Sequence, residues 1–201
     1  MTSFEPFGDA ALRAKLPEGC DSRAVLEALR AHRGIIDAVV SERYALVAFD
    51  PEHPPEGLDA VVERATDEPI AAIAPREHAV RVRYAGADLT AIAAALGGRP
   101  EDVVSLHTAG RYRVAAMGFL PGFAYLSGLD PRLHVARRAS PRTRIPALSV
   151  AIGGPYTGIY PFASPGGWHL LGEACGFVPF AATCGATLSL GDHVTFCDAT
   201  P

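Results

Sequence analysis

Between Asp130 and Glu173 the chain carries no carboxylate, although it has 22 Asp and Glu side chains in all. Five arginines fall in that stretch: Arg132, Arg137, Arg138, Arg142 and Arg144. A planar guanidinium fork matches carboxylate and phosphate oxygens, so the run reads as a local anion site in a chain of formal net charge -4. The competing reading is a solvated loop whose arginines pair with acids elsewhere in the fold. The glycines of IGGPYTG and SPGGW favour the first reading, because they let main-chain N–H groups come close to a ligand.

Two further groups of residues could take part. MGFLPGFAYLSGLDP, residues 117–131, is too broken by glycine and proline for a helix, and it reads as an ordered loop. Its Phe119, Phe123 and Tyr125 either pack as a hydrophobic lid or wall off a ligand from water. His107 ends the segment PEDVVSLH and His169 follows SPGGW; each is a candidate proton carrier, because imidazole titrates near neutrality. A core histidine is the alternative for both, and His107 is the stronger candidate because it precedes the arginine and aromatic half and lies close to Tyr112. His32, His53, His134 and His193 are read as structural.

Several kinds of chemistry are excluded by what is missing. A net charge of -4 gives no overall drive towards nucleic acid or an anionic membrane. Lys15 is the only lysine, and its setting, LRAKLPEG, suits neither a P-loop, a Schiff base nor a biotin acceptor turn. HExxH, GxSxG and GxGxxG do not occur. Cys20, Cys175, Cys184 and Cys197 form no CxxC pair and have no histidine at zinc-finger spacing, so no metal site is expected. The first residues lack the order of a signal peptide, and no apolar run reaches the ~20 residues of a membrane span. The expected setting is the cytoplasm, with reduced thiols.

These residues need elements to position them. Residues 10–16 read as a strand, and Asp21 or Ser22 caps a helix whose Val25, Leu26 and Leu29 fall at helical spacing, with Gly34 where its C-cap is expected. IIDAVV and YALVAF, separated by Ser41, Glu42 and Arg43, suit a hairpin, and a second helix follows at residues 58–65. The order is βαββα. Residues 69–77, bracketed by Pro69 and Pro75, read as a linker. Beyond it come the alternating strand HAVRVRY, a helix closed by Gly97 and Gly98, and the short helix PEDVVSLH. The Gly- and Pro-rich remainder suggests short strands in a closed or nearly closed sheet.

GFLPGFAYLSGLDPRL, RRASPRTRIPALSVAI, TGIYP and SPGGWHLLG resemble the carboxyltransferase subdomain family that includes the B subunit of bacterial 5-oxoprolinase, also labelled allophanate hydrolase subunit 1. The resemblance extends over nearly the whole chain, through GDAAL, YALVAFDP, HAVRVRYAG and LHTAGRYRVAAMGF. It implies an α+β protein, with a ferredoxin-like domain at residues 1–76 and a cyclophilin-like β-barrel at residues 77–201. The implied activity is one subunit's share, inactive alone, in the ATP-dependent opening of the lactam 5-oxo-L-proline to L-glutamate. The implied partners are the 5-oxoprolinase subunits C and A, with ATP and Mg²⁺ shared with or bound by a partner. The same family includes inhibitors of a sensor histidine kinase and half of the urea carboxylase carboxyltransferase domain, so both remain alternatives; the latter would need a separate biotin carrier.

Carried over by position, the resemblance assigns His107, Arg138 and Arg142 as catalytic. It makes Tyr112, Phe119, Phe123, Tyr125, Arg144, Tyr156, Thr157, Gly158, Ser164, Gly166 and Gly167 pocket residues. In this reading the arginines, Arg144 included, would meet a transferring phosphoryl group, His107 would move a proton, and Thr157 would hold an oxyanion or the substrate carboxylate. Two departures border the site. Relatives usually read AGxQTGIYP where this chain has GGPYTGIYP, which puts Tyr156 in place of an amide, and they tend to place glycine where this chain has Leu148.

Overall fold

In the computed structural model, which describes residues 2–67 and 74–199, the Asp21 carboxylate accepts the N–H groups of Arg23 at 3.0 Å and Ala24 at 3.3 Å. It thereby satisfies donors that helix α1 (Ser22–Arg30) leaves open at its start. Ala24, Val25 and Leu29 form its buried face. The helix closes on Ala31, not on Gly34, which lies further on at φ +92 and turns the chain into β3 (Ile35–Val40). The Ser41 hydroxyl accepts the Tyr44 N–H at 3.1 Å and so pins the hairpin from β3 to β4 (Tyr44–Phe49).

The unit Met1–Ala74 is completed by β1 (Phe4–Pro6), β2 (Ala11–Lys15) and α2 (Leu58–Asp67). Its sheet runs β1-β2-β4-β3, with every neighbouring pair antiparallel. Strand β1 was not expected from the sequence. Residues 69–73 of the expected linker lie outside the described residues.

The second unit, Pro75–Pro201, begins with β5 (Glu77–Arg83), α3 (Leu89–Ala95), α4 (Pro100–Thr108), β6 (Arg111–Met117) and β7 (Ala124–Ser127). It continues with β8 (Arg142–Ile145), β9 (Ser149–Gly153), β10 (Tyr156–Ile159), β11 (Ser164–Gly166) and β12 (His169–Cys175). The short pair β13 (Phe180–Ala181) and β14 (Gly185–Ala186) precedes β15 (His193–Asp198). Seven strands close a barrel in the order β10-β7-β6-β15-β5-β12-β9, and β8 pairs with β11 outside it. The protein is thus mixed α/β, with a closed barrel and few helices.

Strand alternation divides the barrel's side chains into two apolar layers. One draws on all seven strands, including Val80, Val114, Leu126, Val150, Ile159, Leu171 and Phe196, and is the interior; Ile92 and Val103 of α3 and α4 join it. The other lies outside β7, β9, β10 and β12. It holds Phe123, Ile145, Ala151, Tyr160, Trp168 and Leu170, with Tyr125 and Tyr156 packed against them. Neighbours in sequence therefore part company: Leu126 faces in and Tyr125 faces out.

Candidate functional site

His107, near the end of α4, is fully enclosed in the interior layer. Its ring packs on Phe196, 4.5 Å between centroids, and on Tyr112 at 5.4 Å. The Thr157 hydroxyl donates to the Ala151 carbonyl at 3.0 Å, so its oxygen is left to accept the His107 Nε2–H at 2.9 Å. Nδ1 is then the acceptor for the Tyr84 hydroxyl at 2.7 Å. Tyr112 donates to the His107 carbonyl at 2.7 Å. Burial pushes the imidazole down to about 3 and pushes the Tyr84 and Tyr112 phenols up, so the whole group is neutral near pH 7.

The arginines meet an acid that their own stretch lacks. Asp88, just before α3, accepts both Arg142 Nη1 and Nη2 at 2.8 Å, Arg138 Nη1 at 3.2 Å and the Leu170 N–H at 2.8 Å. Burial works to raise this carboxyl. The hydrogen bonds from Arg142 and the Leu170 N–H, with the charges of Arg142 and Arg138, outweigh it and hold Asp88 below the usual carboxylate range. Arg132 forms a forked pair with Asp130, at 2.9 and 2.7 Å. Arg137 lies over the Trp168 ring, 5.9 Å from its centroid, and Arg144 is exposed on β8.

Around this clamp the outer layer forms an edge-to-face aromatic network. Phe123 meets Tyr125, Tyr160 and Trp168 at 5.1, 5.4 and 5.5 Å, and Tyr125 meets Tyr156 at 5.9 Å. Phe119, 57% exposed and held at φ 74, caps Phe123 and Tyr160. The glycines explain the fit. A Cβ on Gly166 would stand 2.5 Å from the Tyr160 hydroxyl, and one on Gly158 would stand 2.8 Å from the Ala124 carbonyl and 3.2 Å from Phe123.

The sequence of residues 2–181 matches the profile of the carboxyltransferase domain, subdomain C and D. The chain belongs to this family. It is 33% identical over 194 residues to the B subunit of 5-oxoprolinase from Bacillus subtilis, a match covering 85% of this chain and 81% of that protein. With the corresponding B subunit from Escherichia coli O157:H7 it shares 50% identity over 97 residues, 47% of this chain and 44% of that protein, so the match spans under half of that relative. The crystal structure of TTHA0988 superposes with a TM-score of 0.80 at 35% identity, covering 95% of this chain and 41% of the other.

Within this carboxyltransferase-family barrel, the residues expected to line one pocket are divided between two places. His107, Tyr112 and Thr157 lie in the interior, so His107 meets hydroxyls of its own chain rather than a substrate, and Thr157 orients that histidine instead of holding an oxyanion. Gly158 and Gly166 seat neighbouring groups instead of admitting a ligand. Gly167 accepts the Arg138 N–H at 2.8 Å, and half-buried His169 contacts the Ala136 carbonyl at 2.9 Å. Phe119, Phe123, Tyr125, Tyr156, Arg138, Arg142 and Ser164 belong to the outer layer or border it. Arg142 spends its fork on Asp88, which makes it a structural partner of that acid. The sequence reading missed Asp88 and Tyr84, the two side chains that decide what the arginines and His107 do; their only signal was an acid and a phenol flanking Gly86.

Proposed function

We propose that the chain serves as the B-type subunit of an ATP-dependent 5-oxoprolinase, converting 5-oxo-L-proline, ATP and water to L-glutamate, ADP and phosphate together with subunits related to A and C. The observation that carries this reading is the alignment with the Bacillus subtilis relative over most of both chains. The N-terminal unit is read as ferredoxin-like, since β4 lies between β2 and β3 on either side of α1, and the barrel as cyclophilin-like. An unstrained amide resists water, and activation by ATP makes the lactam carbon a better electrophile. This chain's contribution is recognition: an arginine pole beside an aromatic wall that excludes water. Asp88 does not suit Mg²⁺, because guanidinium and amide N–H groups already engage its oxygens, so ATP with Mg²⁺ is placed with a partner, in the cytoplasm. The phosphoryl-stabilising cations are placed there too, because Arg142 is engaged by Asp88. Coexpression with the candidate partners should give ATP-dependent glutamate release from 5-oxoproline, while the chain alone should give none. Turnover by the lone chain, or a stable assembly inert towards 5-oxoproline, would overturn the proposal.

A further inference from the structure

Among the described residues, three buried side-chain nitrogen or oxygen atoms have no hydrogen-bond partner: His32 Nδ1 in the N-terminal unit, and Arg138 Nε and Ser164 Oγ in the barrel unit. A buried donor left unmade is costly, and two in one layer mark a place where a ligand oxygen would relieve the cost. The chain brings this pair together. Ser164 stands opposite Ile145 in the β8–β11 ladder and therefore shares the face that packs into the aromatic layer. Arg138 is tied through its N–H to the carbonyl of Gly167, three residues beyond Ser164. Ser164 is itself only 9% exposed.

The charge balance selects the ligand. Arg138 and Arg142 contribute two positive charges and Asp88 one negative, leaving a single positive charge beside Phe123, Tyr160 and Trp168. That suits a monoanion carrying a small apolar ring and leaves a phosphate dianion undercompensated. We propose that Arg138 Nε–H and Ser164 Oγ–H together hold the carboxylate of a small cyclic monocarboxylate, with Asp88 as the positioning residue that fixes the arginine. The proposal deepens the reading above, in which the ring is a lactam.

The test needs binding alone. The full chain is titrated by NMR with 5-oxo-L-proline, with 2-pyrrolidinone, which is the same ring without the carboxylate, and with inorganic phosphate. The expected result is that 5-oxoproline binds about tenfold or more tightly than either other probe, in line with a hydrogen bond to a charged group. Ser164→Ala and Arg138→Lys, the latter keeping the charge beside Asp88, should each weaken 5-oxoproline about tenfold and leave 2-pyrrolidinone unchanged. Absence of 5-oxoproline binding, equal affinity for the two rings, tighter binding of phosphate, or unchanged affinity in either folded variant would overturn the site. Because no turnover is read, an assembly that fails to open the lactam would count against the proposed function and not against this result.

Discussion

The barrel carries two polar clusters, one inside and one outside, and they answer burial in opposite ways. Inside, His107, Tyr84 and Thr157 are neutral, and both ring nitrogens of the histidine are engaged. Outside, Asp88, Arg138 and Arg142 are charged, the two arginine side chains are 33% and 25% exposed, and Arg138 Nε is left without a partner. Ionisation is so costly in the enclosed interior that only a closed, uncharged network persists there. Where some solvent contact remains, ions survive and a donor can be held in reserve. A single protein thus separates a histidine built for packing from an arginine built for recognition.

The sharpest way to break this contrast is Asp88→Ala. It strands two guanidinium groups and the Leu170 N–H, and it should cost about 3 to 5 kcal/mol in urea unfolding. A loss below about 1 kcal/mol would mean that the clamp is a solvated surface pair after all.

The interior cluster can be tested through pH. The native pKa of His107 lies below its unfolded value of about 6.5, so the stability it lends is complete above that pH and is lost as pH falls towards about 3. Between pH 6.5 and 4.5 this group should remove about 1.4 kcal/mol of stability per pH unit, and His107→Gln should remove that slope. Asp88, whose native pKa is also depressed, makes its own loss at lower pH and leaves that window to the histidine. In the assembled enzyme, His107→Gln should retain turnover within a few-fold, whereas Arg138→Ala should lose most of it. The reverse pattern would restore a proton-carrying role to the histidine.

Thr157→Val removes the hydroxyl that links Nε2 to the Ala151 carbonyl and should cost about 1 to 2 kcal/mol without weakening 5-oxoproline binding. The smallest effect is expected at Leu148, where φ is 64 and relatives tend to carry glycine. Leu148→Gly should relax about 1 kcal/mol of left-handed strain and lose a similar amount of partial burial, for a net change within about 1 kcal/mol in thermal unfolding.

Local chemistry was legible in the sequence. Asp21 caps α1, Ser41 to Arg43 turn the β3–β4 hairpin, and the alternation of HAVRVRY marks β5. What could not be read was pairing across the fold. Asp88 lies 50 residues before Arg138 and 54 before Arg142, and no local spacing joins them. A different difficulty affected TGIYP. Tyr156 and Thr157 look like one pocket segment, yet as strand neighbours they must point to opposite faces, and recognising β10 would have separated them. The glycine-rich runs misled for a physical reason: close approach by a ring of the protein's own makes the same demand on backbone as close approach by a ligand.

The position of β15 has a consequence for biosynthesis. It lies between β5, which it pairs in parallel, and β6, which it pairs antiparallel, joining residues 77–82 to residues 193–198. During translation the earliest strands of the barrel emerge with these edges open, and they stay open until more than a hundred further residues have left the ribosome. Such late, long-range closure slows folding and leaves hydrogen-bonding edges available to other nascent chains. A stop codon shortly before His193 would therefore abolish the whole barrel rather than trim its end, and the yield of soluble protein should depend on how quickly the last strand is made.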